Sequence, residues 1–348
     1  MSYRDFRLDY KADRSTFLRF WQEHFPKWPT AKYDWFYMSN PAGATVGYGI
    51  REESFSAMLG AFAVFPRRLS VNGRERMGGI TGDFGVHPKH RILRPALTLQ
   101  KVVLANARQE GIEILYGFPN RLSEPIQKRV GYRIIGRVAR VSKILRSYSR
   151  LRKRFDLPFI TRLLAALIDF AGWLVSRESY SRSPRNCRSV LLDSFDQRFD
   201  RLWSKVRCSY PVLGMRDQSF LNWRFTACPY KSYRVFALED THSHDLVGYI
   251  VYHQTDNDLI IADMLATDQD HLRSLLSTFI RYGRNHRNSA VTMTFVSGPD
   301  LLDLFRSLHF RIHPTEGNVV VYVDENDPQA EILQKENNWY LTEGDNDV

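Results

Sequence analysis

The sequence predicts an α/β (α+β) protein in which one fold occurs twice, and three observations carry that prediction. Residues 80–132 read as strand, helix, strand, helix, with a glycine or proline break between successive elements. A strand–helix lead and a tight hairpin stand ahead of them. The landmarks of this N-terminal half then return at matching intervals in the C-terminal half.

Taken in order, residues 6–10 form a first strand, and Asp13 or Ser15 caps a helix that runs through Phe17, Phe20, Trp21 and Phe25 before Pro26 and Pro29 close it. An aromatic block at 33–37 follows, more suited to a core than to a binding platform. Residues 56–65 and 69–71 are strands, with Asn72-Gly73 a tight-turn signal before a further strand at 74–77. The strand 80–86 is stopped by His87-Pro88, because proline cannot donate to a ladder. From Lys89 to Glu110 the residues Leu93, Leu97 and Leu104, with Ala96, Val103 and Ala107 beside them, recur at helical spacing. Gly111 ends that helix, residues 112–118 give another apolar strand, Pro119-Asn120 breaks it, and a short helix at 123–130 ends at Gly131.

This order resembles the core of the GNAT superfamily of acyl-CoA N-acyltransferases. The first GNAT signature is a strand ending in Val-x-Pro, then Arg/Gln-x-x-Gly-x-Gly/Ala at a helix mouth. Val86-His87-Pro88 matches, and Arg91 and Ala96 hold the outer positions. Arg94 replaces the first glycine, and Pro95 follows it. The second signature, a strand ending in Asn and a helix closing with Gly-Phe/Tyr, is met by Tyr116 to Asn120 and by Gly131-Tyr132. The resemblance implies two tandem GNAT-like domains, each a mixed, mostly antiparallel central sheet flanked by helices. It also implies transfer of an acyl group, acetyl first of all, from acetyl-CoA or another acyl-CoA to an amine, without a metal.

In such enzymes the helix mouth holds the CoA pyrophosphate, here Arg91, Ile92, Leu93, Arg94, Pro95 and Ala96; free N–H groups and the helix dipole favour an anion there. The pantetheine arm adds like an extra strand beside Phe84, Gly85 and Val86, with His87 at their end and Asn120 bonding the arm from the opposite strand. Pro95 removes one backbone donor, and Arg94 offers a charged substitute. An acyl carrier protein as donor would need less from this loop. Asp83, leading the strand, is a candidate base; its other reading is a buried carboxylate satisfied by backbone or by one of the many arginines. The tyrosine that many GNAT enzymes use to protonate the leaving thiolate is Gln127 here, so Tyr116, Tyr132 or water must serve, or no such acid exists. His87 and His90 could relay protons or simply be polar surface.

The repeat is read from spacing. Trp35 and Pro41, Trp35 and Gly60, are matched by Trp223 and Pro229, Trp223 and Gly248, at identical separations; Asp83 to Val86 then corresponds to Asp263 to Ala266. The second copy has Asp268 and Asp270 where phosphates would sit, which leaves one donor site, in the first copy. The division expected is a first GNAT-like domain at 1–145, a basic stretch, apolar helix and linker at 146–188, a degenerate second domain at 189–323 and an acidic tail at 324–348. From Arg121 to Arg154 there are twelve Lys/Arg residues and one acid. The helix that follows, 159–175, either lies buried between the copies or makes peripheral membrane contact through 143–176 on the inner face of an anionic membrane.

A net charge of +11 implies an anionic partner, such as CoA phosphates or a membrane surface. A nucleic acid is disfavoured, because the basic run lacks interleaved stacking aromatics. Three unpatterned cysteines and a polar N-terminal stretch fit a cytoplasmic protein. Two functions of different class follow. One is an N-acyltransferase acting on an amine-bearing small molecule or a saccharide, such as an amino sugar of a cell-surface polysaccharide precursor. The other is a non-catalytic scaffold on an anionic surface.

Overall fold

The computed structural model describes residues 3–52, 57–90, 93–152, 157–176, 178 and 186–347. Arg91 and Ile92 lie outside the described residues. The N-terminal half runs β1 (Tyr3–Arg7), α1 (Arg14–His24), a π-helical turn (Tyr33–Tyr37), β2 (Val46–Glu52), β3 (Met58–Val71), β4 (Arg74–Val86), α2 (Leu93–Ala107), β5 (Ile114–Gly117), α3 (Glu124–Arg129) and β6 (Arg133–Ile144). Two helices, α4 (Tyr148–Arg152) and α5 (Pro158–Val175), lead to the second half. There follow β7 (Cys187–Leu192), α6 (Gln197–Val206), β8 (Val212–Gly214), α7 (Gln218–Leu221), a second π-helical turn (Asn222–Thr226), β9 (Arg234–Asp240), β10 (Leu246–Thr255) and β11 (Asp258–Ala266). The chain continues as α8 (Gln269–Asn285), β12 (Ala290–Phe295), α9 (Pro299–Ser307), β13 (Arg311–Val323), α10 (Ala330–Gln334) and β14 (Trp339–Tyr340). Apart from β8, α7, α10 and β14, which only the second half has, the two halves share one order of elements.

Local chemistry explains the elements around the site. Asn72 and Gly73 both take positive φ, 47° and 77°, the geometry a two-residue hairpin needs between β3 and β4. Both strands are longer than the sequence suggested, because Pro66 does not break β3. It lies where β3 has β4 on one side but neither β2 nor β8 on the other, so no ladder partner is forfeited there. Helix α2 buries Ala96, Leu99, Val103 and Ala107, one stripe at helical spacing, against β2 and β3.

The sheet order is β1-β2-β3-β4-β5-β13-β6-β12-β11-β10-β9-β7, all neighbours antiparallel except β4 with β5 and β11 with β12. Each half therefore completes its sheet with the other half's last strand: β13 pairs β5, and β6 pairs β12. The aromatic blocks meet at the same centre. Trp35 Nε1 donates to Trp223 C=O at 2.7 Å, and Trp223 Nε1 donates back to Trp35 C=O at 3.1 Å, both rings being buried. The landmark glycines correspond as expected, since Gly60 lies opposite Val86 and Gly248 opposite Ala266.

The acidic tail packs back on the fold: Trp339, Tyr340 and Leu341 are buried, and β14 pairs β8 in parallel. Of the two readings of helix α5, burial between the copies does not hold, because Phe159 is 80% and Leu163 58% exposed.

Candidate active site

Strands β4 and β5 pair in parallel only from Gly78 with Ile114 to Thr81 with Gly117. Beyond that point β5 stops, and among the described residues no strand pairs with Gly82–Gly85 on this side. The strands therefore open into a cleft, with a cavity of about 290 Å³ whose walls include Trp21, Phe25, Phe84, Asn120, Gln127 and Asp347. Phe84 stands edge-on to Phe62 at 5.0 Å between ring centres. Gly85 must be glycine, since a Cβ there would come within 2.9 Å of both Phe25 and Trp21.

At the lip of the cleft the pairing of β3 with β4 slips by one residue between Ala61 and Ala63, and Asp83 takes a φ of +47°. Such a bulge re-aims the side chain. The Asp83 carboxylate accepts from Lys32 Nζ at 3.0 Å and from Tyr37 OH at 2.6 Å. It is thus a satisfied carboxylate, held by a lysine and a tyrosine in place of the backbone or arginine partners the sequence suggested. The corresponding carboxylate of the second copy is satisfied from other positions: Asp263 accepts from Tyr249 OH of β10 at 2.7 Å and faces Arg216 at 3.2 Å.

A second carboxylate, which sequence reasoning missed, stands in the cleft. Asp347 lies 3.5 Å from Lys32 Nζ and directly over Gly82, where a Cβ would meet its Oδ2. Burial pushes the Asp347 carboxyl above the ordinary range; Lys32 opposes this and Asp83 adds to it. Burial pulls Lys32 down, but Asp83 and Asp347 more than reverse this, so its ammonium is held. No local signal in the sequence marks Asp347, because its place is set by contacts far along the chain. Asp345 is fully buried against Arg67 at 3.0 Å and against Arg216, and Arg224 donates to the carbonyls of Glu343 and Gly344.

The remaining expected residues fall out unevenly. Tyr116 is sealed beneath the cleft, donating to Asp345 C=O at 3.2 Å, and burial pushes its phenol well up, so it does not stand where a leaving thiolate could reach it. Tyr132 is buried beside Tyr322. Asn120 spends its carbonyl oxygen on the backbone N–H groups of Leu122 and Ser123, at 2.9 and 3.0 Å, which starts α3 and leaves its amide N–H₂ as the group to offer the cleft. Gln127 is 96% buried in the cleft wall, and its Oε1 has no hydrogen-bond partner among the described residues. His87 anchors its backbone N–H to Leu59 C=O at 2.7 Å and packs its ring on His24, at the edge of a separate cavity of about 260 Å³. Helix α2 begins at Leu93; Arg94 is exposed, and Pro95 and Ala96 are buried.

The matching cleft of the second copy is filled by the chain itself. Leu341 exchanges two backbone hydrogen bonds with Val296, at 2.8 and 2.9 Å, just past the end of β12. Tyr340 OH donates to Met264 C=O of β11 at 2.6 Å. The mouth of α8 is capped by Asp268, which accepts from His271 N–H at 2.8 Å.

Comparison with known proteins agrees with this geometry. Residues 5–135 match the acetyltransferase (GNAT) domain family. The N-terminal half carries a GNAT domain. No curated protein sequence matches the chain. A probable N-acyltransferase of unknown function from Enterococcus faecalis superposes with a TM-score of 0.66 at 14% identity, covering 93% of this chain and 73% of that one. A tandem GNAT protein from the clavulanic acid biosynthesis pathway covers 92% of this chain and 98% of its own length, at 13% identity and a TM-score of 0.54. The N-myristoyltransferase of Saccharomyces cerevisiae, solved with bound myristoyl-CoA, gives 0.53 at 10% identity over 92% of this chain and 82% of that one. These likenesses establish the fold, a GNAT fold followed by a second one. Among the described residues no group of three or more His, Cys, Asp or Glu side chains is placed to hold a metal ion.

Proposed function

We propose that the protein is an N-acyltransferase that takes an acyl group, acetyl first of all, from an acyl-CoA and passes it to an amine in the cleft between β4 and β5. The observation that carries this reading is the edge Gly82–Gly85 of β4, which β5 does not reach and which lines one cavity with Gln127, whose Oε1 has no hydrogen-bond partner among the described residues, inside the GNAT domain. A strand edge that lacks a partner offers backbone donors and acceptors to an extended amide chain. Gln127 accepts an amide N–H of that chain, and the Asn120 amide donates to it. The thioester supplies the activated acyl carbon. The residues that would face the phosphates are Leu93 to Ala96 at the start of α2, with Arg91 and Ile92 added on the sequence signature alone.

Acylation of an amine requires removal of its proton before attack. Asp347 is placed for this: its raised proton affinity lets it accept a proton from an ammonium, and Lys32 keeps it fixed. Asp83 positions Lys32. One proton leaves the ammonium for Asp347, the amine nitrogen bonds to the acyl carbon to give a tetrahedral adduct, and as the C–S bond breaks the nitrogen's second proton passes to the departing thiolate, leaving amide, thiol and a protonated Asp347. For the acceptor we favour an amine that carries phosphate or sugar, an amino sugar precursor among them, because Arg19, His24 and His87, against the single acid Glu23, line the separate cavity at His87. A second reading, an acyl carrier protein as donor, is supported by Pro95, which removes one N–H from the mouth of α2.

Calorimetric titration with acetyl-CoA and with a longer acyl-CoA tests the reading, beside an Asn120→Ala/Gln127→Leu double variant. Micromolar binding that weakens about tenfold or more in the variant is expected, one lost hydrogen bond being worth about 1 kcal/mol. Absence of binding to either thioester overturns the CoA-dependent reading and turns the assay to acylated carrier protein.

A further inference from the structure

Helix α5 is built inside out. The line it turns to the protein is small and polar: Thr161, Ala165 and Ser176 are buried, and Asp169 accepts from Ser147 N–H at 2.8 Å. Its large apolar side chains point away, with Leu167 59%, Phe170 58%, Ile160 49% and Trp173 44% exposed, beside Phe159 and Leu163. A helix that served only to pack would show the reverse order. A contiguous apolar face of this size marks a surface that something covers.

Charge identifies what covers it. Arg146, Arg150, Arg152 and Arg162 are exposed on or next to α4 and α5, and Arg311 of β13 is exposed at the foot of α5. There a cavity of about 370 Å³ opens between α5, β6 and β13, lined by Arg150, Arg284, Arg311, His309 and His313. The acids that face it are occupied. Glu178 is fully buried against Lys143 at 2.9 Å and Arg284 at 3.1 Å, and Asp169 caps the turn at Ser147. A second copy of the chain on this face would set arginines against arginines. An anionic bilayer complements both the charge and the apolar face. No helix among the described residues is long and apolar enough to cross a membrane, so α5 lies on the surface.

We propose that α5 docks in the interface of an anionic lipid bilayer, its Phe and Leu face among the acyl chains and the lipid phosphates held by the arginines of α4, α5 and β13. This inference is independent of the acyl-transfer reading, since it requires no thioester. The test is sedimentation of the full chain with phosphatidylcholine vesicles, with and without phosphatidylglycerol, at low salt. Expected are partitioning at least about tenfold stronger onto the anionic vesicles, a decline with added salt, and a loss of about tenfold or more in Leu163→Glu/Leu167→Glu. Arg150→Ala should weaken partitioning roughly fivefold. Circular dichroism confirms that these surface variants remain folded. Equal partitioning onto neutral and anionic vesicles, or indifference to the leucine pair, overturns the proposal. So does a lipid-free dimer that Leu163→Glu/Leu167→Glu dissolves.

Discussion

Asp83, Lys32 and Asp347 show how a single residue's role depends on its neighbours. Asp83 was legible as an important acid, but its role was not, because Lys32 and Tyr37, which occupy it, approach from a turn some 50 residues earlier. Asp347 was invisible for the same reason, being more than 260 residues from Gly82, which it covers. Replacing Lys32 with Met should cost about 3–5 kcal/mol in urea unfolding, since two shielded carboxylates lose their shared cation. Asp347→Asn separates base from scaffold. A base must be deprotonated, so acyl transfer should rise with pH through the raised Asp347 value, and the asparagine variant should lose that limb of the profile. The stability linkage has the matching sign: a carboxyl whose folded value is raised stabilises the fold at low pH and loses that contribution as pH climbs through it. Asp345 behaves oppositely. Arg216 and Arg67 outweigh its burial and hold it below the ordinary 3.8, so its contribution is present above that value and lost as pH falls through the lowered one.

Elements with a local cause were readable; those with a distant cause were not. The hairpin at Asn72-Gly73, helix α2 and the stop at Asn120 follow from turn chemistry and periodicity over a few residues. The tail from Trp339 onward carries no such pattern, because its conformation comes from β8, β11 and the end of β12. Deleting residues 339–347 should therefore unfold the protein instead of trimming it. Three buried side chains, at roughly 2–3 kcal/mol each, match a typical domain's whole stability margin, and loss of the cooperative urea transition checks this. At the mouth of α2, Pro95→Ala restores one backbone donor. If that mouth receives phosphates, acyl-CoA affinity should rise roughly two- to fivefold, the worth of one helix-terminal contact. Unchanged affinity in calorimetry would move the phosphates elsewhere.

At the scale of the molecule, the duplication was legible because intervals survive where residues have changed. The tryptophans and glycines of the two copies hold their spacing, the aspartates correspond across a hairpin eight residues shorter in the second copy, and the structure pairs the glycines with equivalent strand ends. The exchange of β6 and β13 left no trace in those intervals, since either half could have closed on its own last strand with the same sequence pattern. Residues 1–152 expressed alone should lack a native sheet by circular dichroism and recover it when mixed with residues 186–348. The exchange also sets a timetable for synthesis. The free edge of β5 emerges with Gly117 and waits for β13, which ends 206 residues later at Val323. At roughly 5–20 residues per second the ribosome leaves that edge uncovered for roughly 10–40 seconds, long enough for neighbouring nascent chains on one messenger to find it. A bacterial-rate translation system slowed by rare codons after residue 145 should therefore yield more aggregate from the same protein, with the loss confined to chains made close together.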